Sequence, residues 1–289
     1  MAYRGSKIDP KKMGKDQVKI LLLILPLVIF MALPIVYIIN HAFKPMDELF
    51  AFPPTFFVRR PTLDNFTNLI KVSRNSGIPL SRYIFNSFVI TLVTIGLSLV
   101  FTTLAAFSLS KLKYRGRNML MQINQIAIMF VATAVSIPRY LIIAKLGLVD
   151  SYLAHILPLL SVPVALFLVK QFVDQVPQVL IEAAYIDGAS DFHIYRKLII
   201  PMIKPAIATA AILVFQQVWT NMETSNFYIN DDSMKSLTFY MNSLTNANNT
   251  VAGQGIAAAA TLIMFIPNLV LFILLQKNVM NTMAHSGIK

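Results

Sequence analysis

Long apolar runs separated by short polar segments constrain this sequence more than any other feature. Each run is about 20 residues or longer, the length a helix needs to cross a hydrocarbon layer about 30 Å thick. Hydrophobic residues make up 56% of the 289 positions and charged residues only 13%. We therefore predict an all-α, polytopic integral membrane protein with six transmembrane helices. The predicted spans are about 20–43, 86–110, 119–141, 152–173, 203–221 and 255–276, between an N-terminal segment 1–19 and a tail 277–289.

Lysine and arginine residues between the runs predict the orientation. The short loop 111–117, with sequence KLKYRGR, is strongly basic, as are the N-terminal segment and the segment before span five. The positive-inside rule places these regions and both termini in the cytoplasm, although the first outer loop also carries six cations. The net charge of +12 is distributed between spans instead of forming one stripe, so nucleic acid is not an expected partner.

The segment 174–202, between spans four and five, is unusually charged. Its stretch EAAYIDGASDFHIYRKLIIP contains five ionisable residues apart from histidine: Glu182, Asp187, Asp191, Arg196 and Lys197. Placing five charges in hydrocarbon would cost roughly 12–18 kcal/mol on insertion scales. The segment is therefore predicted to face the cytoplasm or a protein partner.

Local signals predict two helices joined by a glycine turn in this segment. Pro177 suits a first helical turn, and QVLIEAAY continues with good helix formers. Gly188 supplies the left-handed cap, at a point where a Cβ would clash. Ser190 is predicted to cap a second helix, DFHIYRKL, that ends before Pro201.

The second helix has an apolar face, because Phe192, Tyr195 and Ile199 recur at helical spacing. Two interpretations fit this face. The helix lies along the bilayer surface as a link between spans, or its aromatic residues fill a groove in a cytoplasmic partner.

The same stretch resembles the EAA signature of bacterial ABC-importer permeases. That signature is Glu-Ala-Ala, three residues, Gly, nine residues, a hydrophobic residue, one residue, then hydrophobic-Pro. The matching positions are Glu182, Ala183, Ala184, Gly188, Leu198, Ile200 and Pro201. Leu198 and Ile200 stand where Ile and Leu are usual. Segments such as NSFVIT, KLKYRGR and IPRYLIIAKLGLVDS extend the resemblance to the smaller, six-span subunit of maltose-type carbohydrate permeases.

The resemblance implies an ABC importer type I permease fold in the bacterial cell (inner or cytoplasmic) membrane. It implies a homologous second permease subunit, two ATP-binding subunits that hold ATP and Mg²⁺, and an extracellular binding protein that delivers a sugar or oligosaccharide. Segment 174–202 would then be the coupling loop that sits in a groove of an ATP-binding subunit. The implied coupling residues are Glu182, Ala183, Ala184, Asp187, Gly188, Phe192, Tyr195, Leu198 and Pro201.

The sequence contains no Gly-x-x-x-x-Gly-Lys motif and no cysteine, so neither its own ATPase site nor a thiolate metal site is expected. No catalytic residue, metal ligand or cofactor of this chain is predicted. An intramembrane enzyme is disfavoured, since the spans carry no paired carboxylates or His-Glu-x-x-His run and His155 is alone. An ion-coupled transporter would show intramembrane charges or broken helices in repeated halves, and neither is evident. A permease of the same architecture for a peptide or an ion complex remains an alternative.

Polar side chains within spans are candidates for the transport path, because amides offer donors and an acceptor to sugar hydroxyls. These candidates are Gln122, Asn124 and Gln125 in span three, and Gln216, Gln217, Trp219 and Asn221 in span five. Trp219 would also serve as an interfacial anchor, and the amides as bonds between helices. The outer segment 223–255 is predicted to be an interaction loop, with a solvated loop as the alternative. The resemblance implies that this loop meets the sugar-loaded binding protein.

Overall fold

The computed structural model describes residues 15–75, 77–247 and 251–286, and over these ranges it is helical with no β-strand. The predicted all-α class is confirmed. Residues 1–14 of the N-terminal segment and 287–289 of the tail lie outside the described ranges. The α-helices are α1 Lys15–Phe43, α2 Met46–Leu49, α3 Asp64–Asn75, α4 Leu80–Lys111, α5 Arg117–Met129, α6 Ser136–Lys145, α7 Tyr152–Ile156, α8 Pro163–Gln175, α9 Gln178–Ile186, α10 Asp191–Ile194, α11 Ile200–Met202, α12 Lys204–Trp219, α13 Glu223–Phe227, α14 Leu237–Ala247 and α15 Val251–Ser286. A π-helical turn covers Tyr195–Ile199, and 3₁₀ turns cover Ala132–Val135, Leu157–Leu159 and Asp232–Met234.

Three helices are long and apolar enough to cross a membrane unbroken: Gln17–Phe43, Leu80–Lys111 and Gly253–Gln276. Three bent pairs have this property only as pairs. They are Arg117–Met129 with Thr133–Lys145 at 109°, Tyr152–Leu159 with Pro163–Gln175 at 47°, and Asp191–Met202 with Lys204–Phe227 at 82°. Counted as one span each, the pairs give up to six spans, and each of the six predicted runs overlaps one of them, although the pair for the fifth run also includes Asp191–Met202 of the predicted coupling loop.

The breaks in spans three, four and five were not predicted from the sequence. In the structure Pro138, Pro163 and Pro205 each lie in the first turn of a new helix. A proline is favourable there, since its missing N–H would have no partner within the helix. Ahead of Pro138, α5 ends at Met129, and Phe130 and Val131 after it have extended backbones.

The chain divides into two compact units, residues 1–69 with 247–262, and residues 70–246 with 263–289. In the larger unit α4, α8 and α12 pack on one another. Small and β-branched residues repeat every four positions on two of these helices and are fully buried: Ala165, Val169 and Val173 on α8, and Ala206, Ala210 and Val214 on α12. Such stripes let helix backbones approach closely, which stabilises helix association in lipid.

The smaller unit is organised around the buried Asn65. Its side-chain amide donates to the carbonyls of Ala42 at 3.0 Å and Lys44 at 2.8 Å, next to the end of α1. The buried Glu48 carboxylate accepts from the backbone N–H groups of Arg59 and Arg60 at 3.0 and 2.8 Å. These bonds satisfy the backbone groups left free where helix and loop meet.

Residues 223–247 of the predicted interaction loop 223–255 form two helices and a 3₁₀ turn, and these residues alone are called the outer segment from here on. The buried Asn86 of α4 holds this segment, because its amide donates to the carbonyls of Ser233 at 2.8 Å and Lys235 at 2.9 Å. Tyr240 of α14 stacks on Tyr83 of α4 with ring centroids 4.3 Å apart. Asn248, in the same predicted loop, lies outside the described residues.

Candidate functional site

Segment 174–202, called the coupling loop after its predicted role, contains α9, and Pro177 is the N-cap just before this helix and not a residue of its first turn as predicted. The helix ends in a Schellman motif, in which Gly188 N–H donates to Tyr185 O at 3.0 Å and Ala189 N–H to Ala184 O at 2.9 Å. Gly188 has φ +82°, the left-handed conformation that favours glycine. A Cβ at this position would meet no atom within 4 Å, so the predicted clash with surrounding atoms is wrong. The conformation of the backbone, not space, requires glycine here.

The second helix of the loop starts at Ser190, whose hydroxyl accepts from His193 N–H at 3.3 Å as the predicted N-cap. The two helices are bonded to each other, since the Tyr185 hydroxyl donates to the Asp191 carboxylate at 2.6 Å. This hydrogen bond raises the pKa of Tyr185, because it stabilises the protonated phenol. The link and the Schellman turn together make the loop one folded unit.

The prediction that the second helix ends before Pro201 is wrong. Helical structure continues to Met202 through a π turn at 195–199, in which Ile200 N–H bonds to Tyr195 O. An α-helical ladder would place the Pro201 ring against the carbonyl four residues earlier. We attribute the continuous helix to this wider turn, which shifts the backbone hydrogen bonds just ahead of the proline.

The loop has a buried side and an exposed side. Ile181, Ile194 and Ile199 are at most 1% exposed and join the core formed by α4, α8 and α12. Val179, Ile186 and Phe192 are 72%, 86% and 63% exposed. We call these three residues the exposed apolar patch.

The structure divides the predicted apolar face between Tyr195 and Ile199. Phe192 is exposed, Ile199 is buried, and Tyr195 is half-buried with its hydroxyl 2.8 Å from Thr103 Oγ1 on α4. The Phe192 and Tyr195 rings remain neighbours, with centroids 6.0 Å apart. Tyr195 therefore contacts the helix core as well as Phe192, whose exposed ring is available to a partner. The π turn at 195–199 changes only the spacing between Tyr195 and Ile199.

The other predicted coupling residues lie on the outside of the loop or at its edge. Glu182, Ala183, Asp187 and Pro201 are exposed, and Ala184 and Leu198 are half-buried against the core. The carboxylates of Glu182 and Asp187 hydrogen-bond to none of the described residues, which leaves them free to accept from a partner.

A family model described as "binding-protein-dependent transport system inner membrane component" matches residues 17–279. The chain belongs to this family. The similarity includes the whole coupling loop and each helix from α2 to α14, so the loop belongs to a transport component.

Two curated relatives and one solved structure extend this result. The chain is 31% identical over 277 residues to Protein LplC of Bacillus subtilis, covering 89% of each. It is 28% identical over 260 residues to the arabinooligosaccharides transport system permease protein AraQ of Halalkalibacterium halodurans, covering 89% of this chain and 90% of the relative. Its fold matches the crystal structure of a bacterial ABC transporter involved in alginate import with a TM-score of 0.78 and 21% identity, covering 93% and 99% of the two chains.

The structure does not gather the seven predicted path residues of this transport component into one site. Gln122, Gln125, Gln216 and Gln217 are exposed on α5 and α12. Asn124 donates to Pro163 O at 3.2 Å, which is a bond between helices. Their contact with a solute stays a prediction.

The last two path candidates have clear structural contacts. Asn221 caps the start of α13, where its side-chain oxygen accepts from Thr224 N–H at 3.0 Å. Trp219 is only 3% exposed, stacks on Phe215 with centroids 5.6 Å apart, and donates to Met264 O at 3.1 Å. With its ring enclosed in this way, Trp219 acts in packing and presents no face to a sugar.

The sequence analysis missed a group of residues where α6 meets the outer segment. Arg139 Nη1 pairs with Glu223 Oε1 at 3.0 Å, and the buried His155 Nδ1 lies 2.8 Å from Thr224 Oγ1. Asp150 has φ +59° and accepts through its carboxylate from the N–H groups of Asn230 and Asp231. Because these partners are 69–84 residues apart in sequence, no local spacing signalled the group.

Proposed function

We propose that this chain is the permease subunit of an ATP-driven importer that translocates a sugar or oligosaccharide. In this proposal it works in the bacterial cytoplasmic membrane with a homologous second permease subunit. Two ATP-binding subunits hold ATP and Mg²⁺, and an extracellular binding protein delivers the solute. The family membership, the similarity to an arabinooligosaccharide permease and the missing phosphate-binding motif support this assignment.

The observation that carries the proposal is the two-sided coupling loop. Its buried isoleucines join it to the helix core, while the exposed apolar patch projects from a segment too charged to lie in hydrocarbon. Exposed large apolar residues grouped on a folded surface indicate a protein contact. A folded insert transmits displacement from a partner to the core more faithfully than a flexible link, because packed elements resist deformation.

Phe192→Ala in the complete importer tests this proposal. Removing an aromatic anchor from an interface commonly weakens binding by about 2 kcal/mol, or roughly 30-fold. We expect import by proteoliposomes to fall at least tenfold, and the yield of ATP-binding subunits that co-purify with the chain to fall with it. Leu274→Ala is the control, because Leu274 is 72% exposed on α15 but far along the chain from the loop. Unchanged import and co-purification by Phe192→Ala would contradict the proposal.

Permeases of the same architecture for a peptide or an ion complex are the alternative. Supplying the reconstituted importer with radiolabelled saccharides, peptides and metal chelates separates the two. Import of a peptide or a chelate with no import of any saccharide would exclude the sugar assignment and leave the coupling mechanism intact.

A further inference from the structure

A cavity of about 360 Å³ lies between α6 and α13 in the larger unit. Ser136, Ile137, Tyr140, Asn226 and Phe227 line it, and we call it the outer aromatic cleft. Tyr140 is 41% and Phe227 56% exposed. The volume lies near the lower end of the range for small-molecule sites, so it suits one or two sugar rings.

The walls of the cleft are fixed in relation to each other on two sides. Arg139, next to Tyr140, pairs with Glu223, which is one helical turn before Asn226 and Phe227. Beyond the ends of both helices, Asp150 N–H donates to Tyr228 O at 2.9 Å, and the Asp150 carboxylate accepts from Asn230. A site whose walls are already in place binds a ligand without first ordering them.

Aromatic rings and an amide in one small cleft match the chemistry of a sugar ring. The C–H face of a pyranose or furanose is apolar and packs on aromatic rings, while its hydroxyls need both donors and acceptors. Tyr140 and Phe227 supply rings, and Asn226 supplies an exposed amide. The Ser136 hydroxyl donates to Thr133 O at 2.8 Å, which leaves its oxygen to accept from a ligand.

The charge of the cleft distinguishes between kinds of sugar. None of the five lining residues is charged at neutral pH, and the adjacent Arg139 and Glu223 neutralise each other. An acidic saccharide would lose hydration without gaining a cation, which is unfavourable. A neutral saccharide would lose little hydration free energy on entering the cleft.

The cleft lies beyond the end of α12 that is remote from the coupling loop. The 16 residues of α12 separate Met202, at the end of the loop, from α13, and a helix of that length extends about 24 Å. With the loop on the cytoplasmic side, the cleft faces the side from which the solute enters.

We propose that the outer aromatic cleft binds one ring of a neutral saccharide as it enters the transport path. This inference rests on the proposed function, and it names the smaller subunit as a direct contact of the solute.

The test uses the complete importer in proteoliposomes with arabinotriose, maltotriose and trigalacturonate as radiolabelled probes. We compare Asn226→Ala and Phe227→Leu with the wild type for the amount of saccharide imported per ATP hydrolysed. The loss of one amide or one ring should lower that ratio about 3- to 10-fold. ATP hydrolysis stimulated by the loaded binding protein should stay within about twofold of the wild type, because the coupling loop is unaltered.

Two further variants are controls. Phe227→Tyr retains the ring and should retain the ratio of import to hydrolysis. Phe272→Leu on α15 is the control for loss of an exposed ring.

Three outcomes overturn the proposal. A wild-type ratio in both Asn226→Ala and Phe227→Leu would show that the cleft does not contact the solute. A parallel loss of the second permease subunit on purification would show that the cleft is a subunit interface. Import of trigalacturonate alone would exclude a neutral ligand. If the wild-type importer moves no saccharide but does move another solute, the proposed function itself is wrong.

Discussion

The coupling loop and the outer segment lie at opposite ends of α12 in the chain and are fixed by different kinds of contact. Buried isoleucines such as Ile194 and Ile199 hold the loop. The outer segment has buried apolar residues as well, such as Ile229 and Leu237, and is held in addition by buried polar side chains, with Asn86 bonded to two of its carbonyls and His155 to Thr224. Apolar contacts are non-directional, whereas hydrogen bonds fix both distance and angle. The loop is therefore suited to shift as a body, and the outer segment to keep one geometry.

Of the substitutions considered, the one at Asn86 should cause the largest loss of stability. Asn86→Ala removes the donor to Ser233 O and Lys235 O and the acceptor of the Tyr152 hydroxyl at 2.7 Å. Leaving such buried groups without partners should lower the free energy of unfolding by about 3 kcal/mol. Reversible unfolding in mixed micelles measures the loss. Asn246→Ala, which removes an exposed bond to Asn242, should change it little; equal losses in the two variants would remove the contrast.

A smaller effect is expected at the turn of the coupling loop. Gly188→Ala should destabilise by about 1 kcal/mol, because alanine resists the left-handed conformation. Gly188→Asn should lose only part of this, since asparagine tolerates that conformation. Unfolding and the import-to-hydrolysis ratio should follow the same order.

Gly96 provides the matched control for this experiment. It lies inside α4, and a Cβ there would meet no atom within 4 Å. Gly96→Ala should stabilise by about 0.5–1 kcal/mol. If Gly188→Ala were as stable as Gly96→Ala, the left-handed turn would not be required.

The smallest effect is expected at Asp150, where the stability that the hydrogen bonds give to the outer segment depends on pH. Hydrogen bonds from the Asn230 side chain and from the backbone of Asn230 and Asp231 lower the pKa of Asp150 below its ordinary 3.8. A lowered pKa means that the bonds stabilise the segment above pH 3.8, and that this contribution disappears as pH falls through the lowered value. Hydrogen exchange at the Asn230 and Asp231 amides should accelerate over that interval, beyond the general pH effect shown by the coupling-loop amides.

Asp150→Asn is the informative variant, because asparagine also tolerates φ +59° but does not titrate. Its Asn230 and Asp231 amides should show weaker protection at neutral pH and no additional acid-dependent step. A step that persists in Asp150→Asn would assign the titration to another group.

The sequence predicted the coupling loop well, because its signals are local. A glycine for the left-handed turn, a serine cap and a proline before the first helix lie within fifteen residues of one another and act through neighbouring backbone. The π turn was missed, since no residue type uniquely specifies it. It changed the spacing between Tyr195 and Ile199, so that Ile199 is buried in the core while Phe192 stays exposed.

The surroundings of the path candidates could not be predicted from the sequence, because polarity within a span does not say which way a side chain points. Trp219 illustrates this, since its environment depends on Phe215, Phe88 and Met264. Tyr140 and Phe227 were passed over as ordinary aromatics, although they line one cleft from positions far apart in the chain. The breaks in three spans carried a signal in their prolines, but the sequence could not distinguish a kink from a new helix.

The bond between Tyr195 and Thr103 connects residues 92 positions apart. Because of this bond, a displacement of the loop acts directly on α4 as well as on α12. A force on Phe192 would be transmitted both along the backbone into α12 and through this hydrogen bond to α4. Tyr195→Phe removes the hydrogen bond to Thr103 and leaves the backbone path intact. The import that remains in this variant would show how much of the coupling passes through α12 alone.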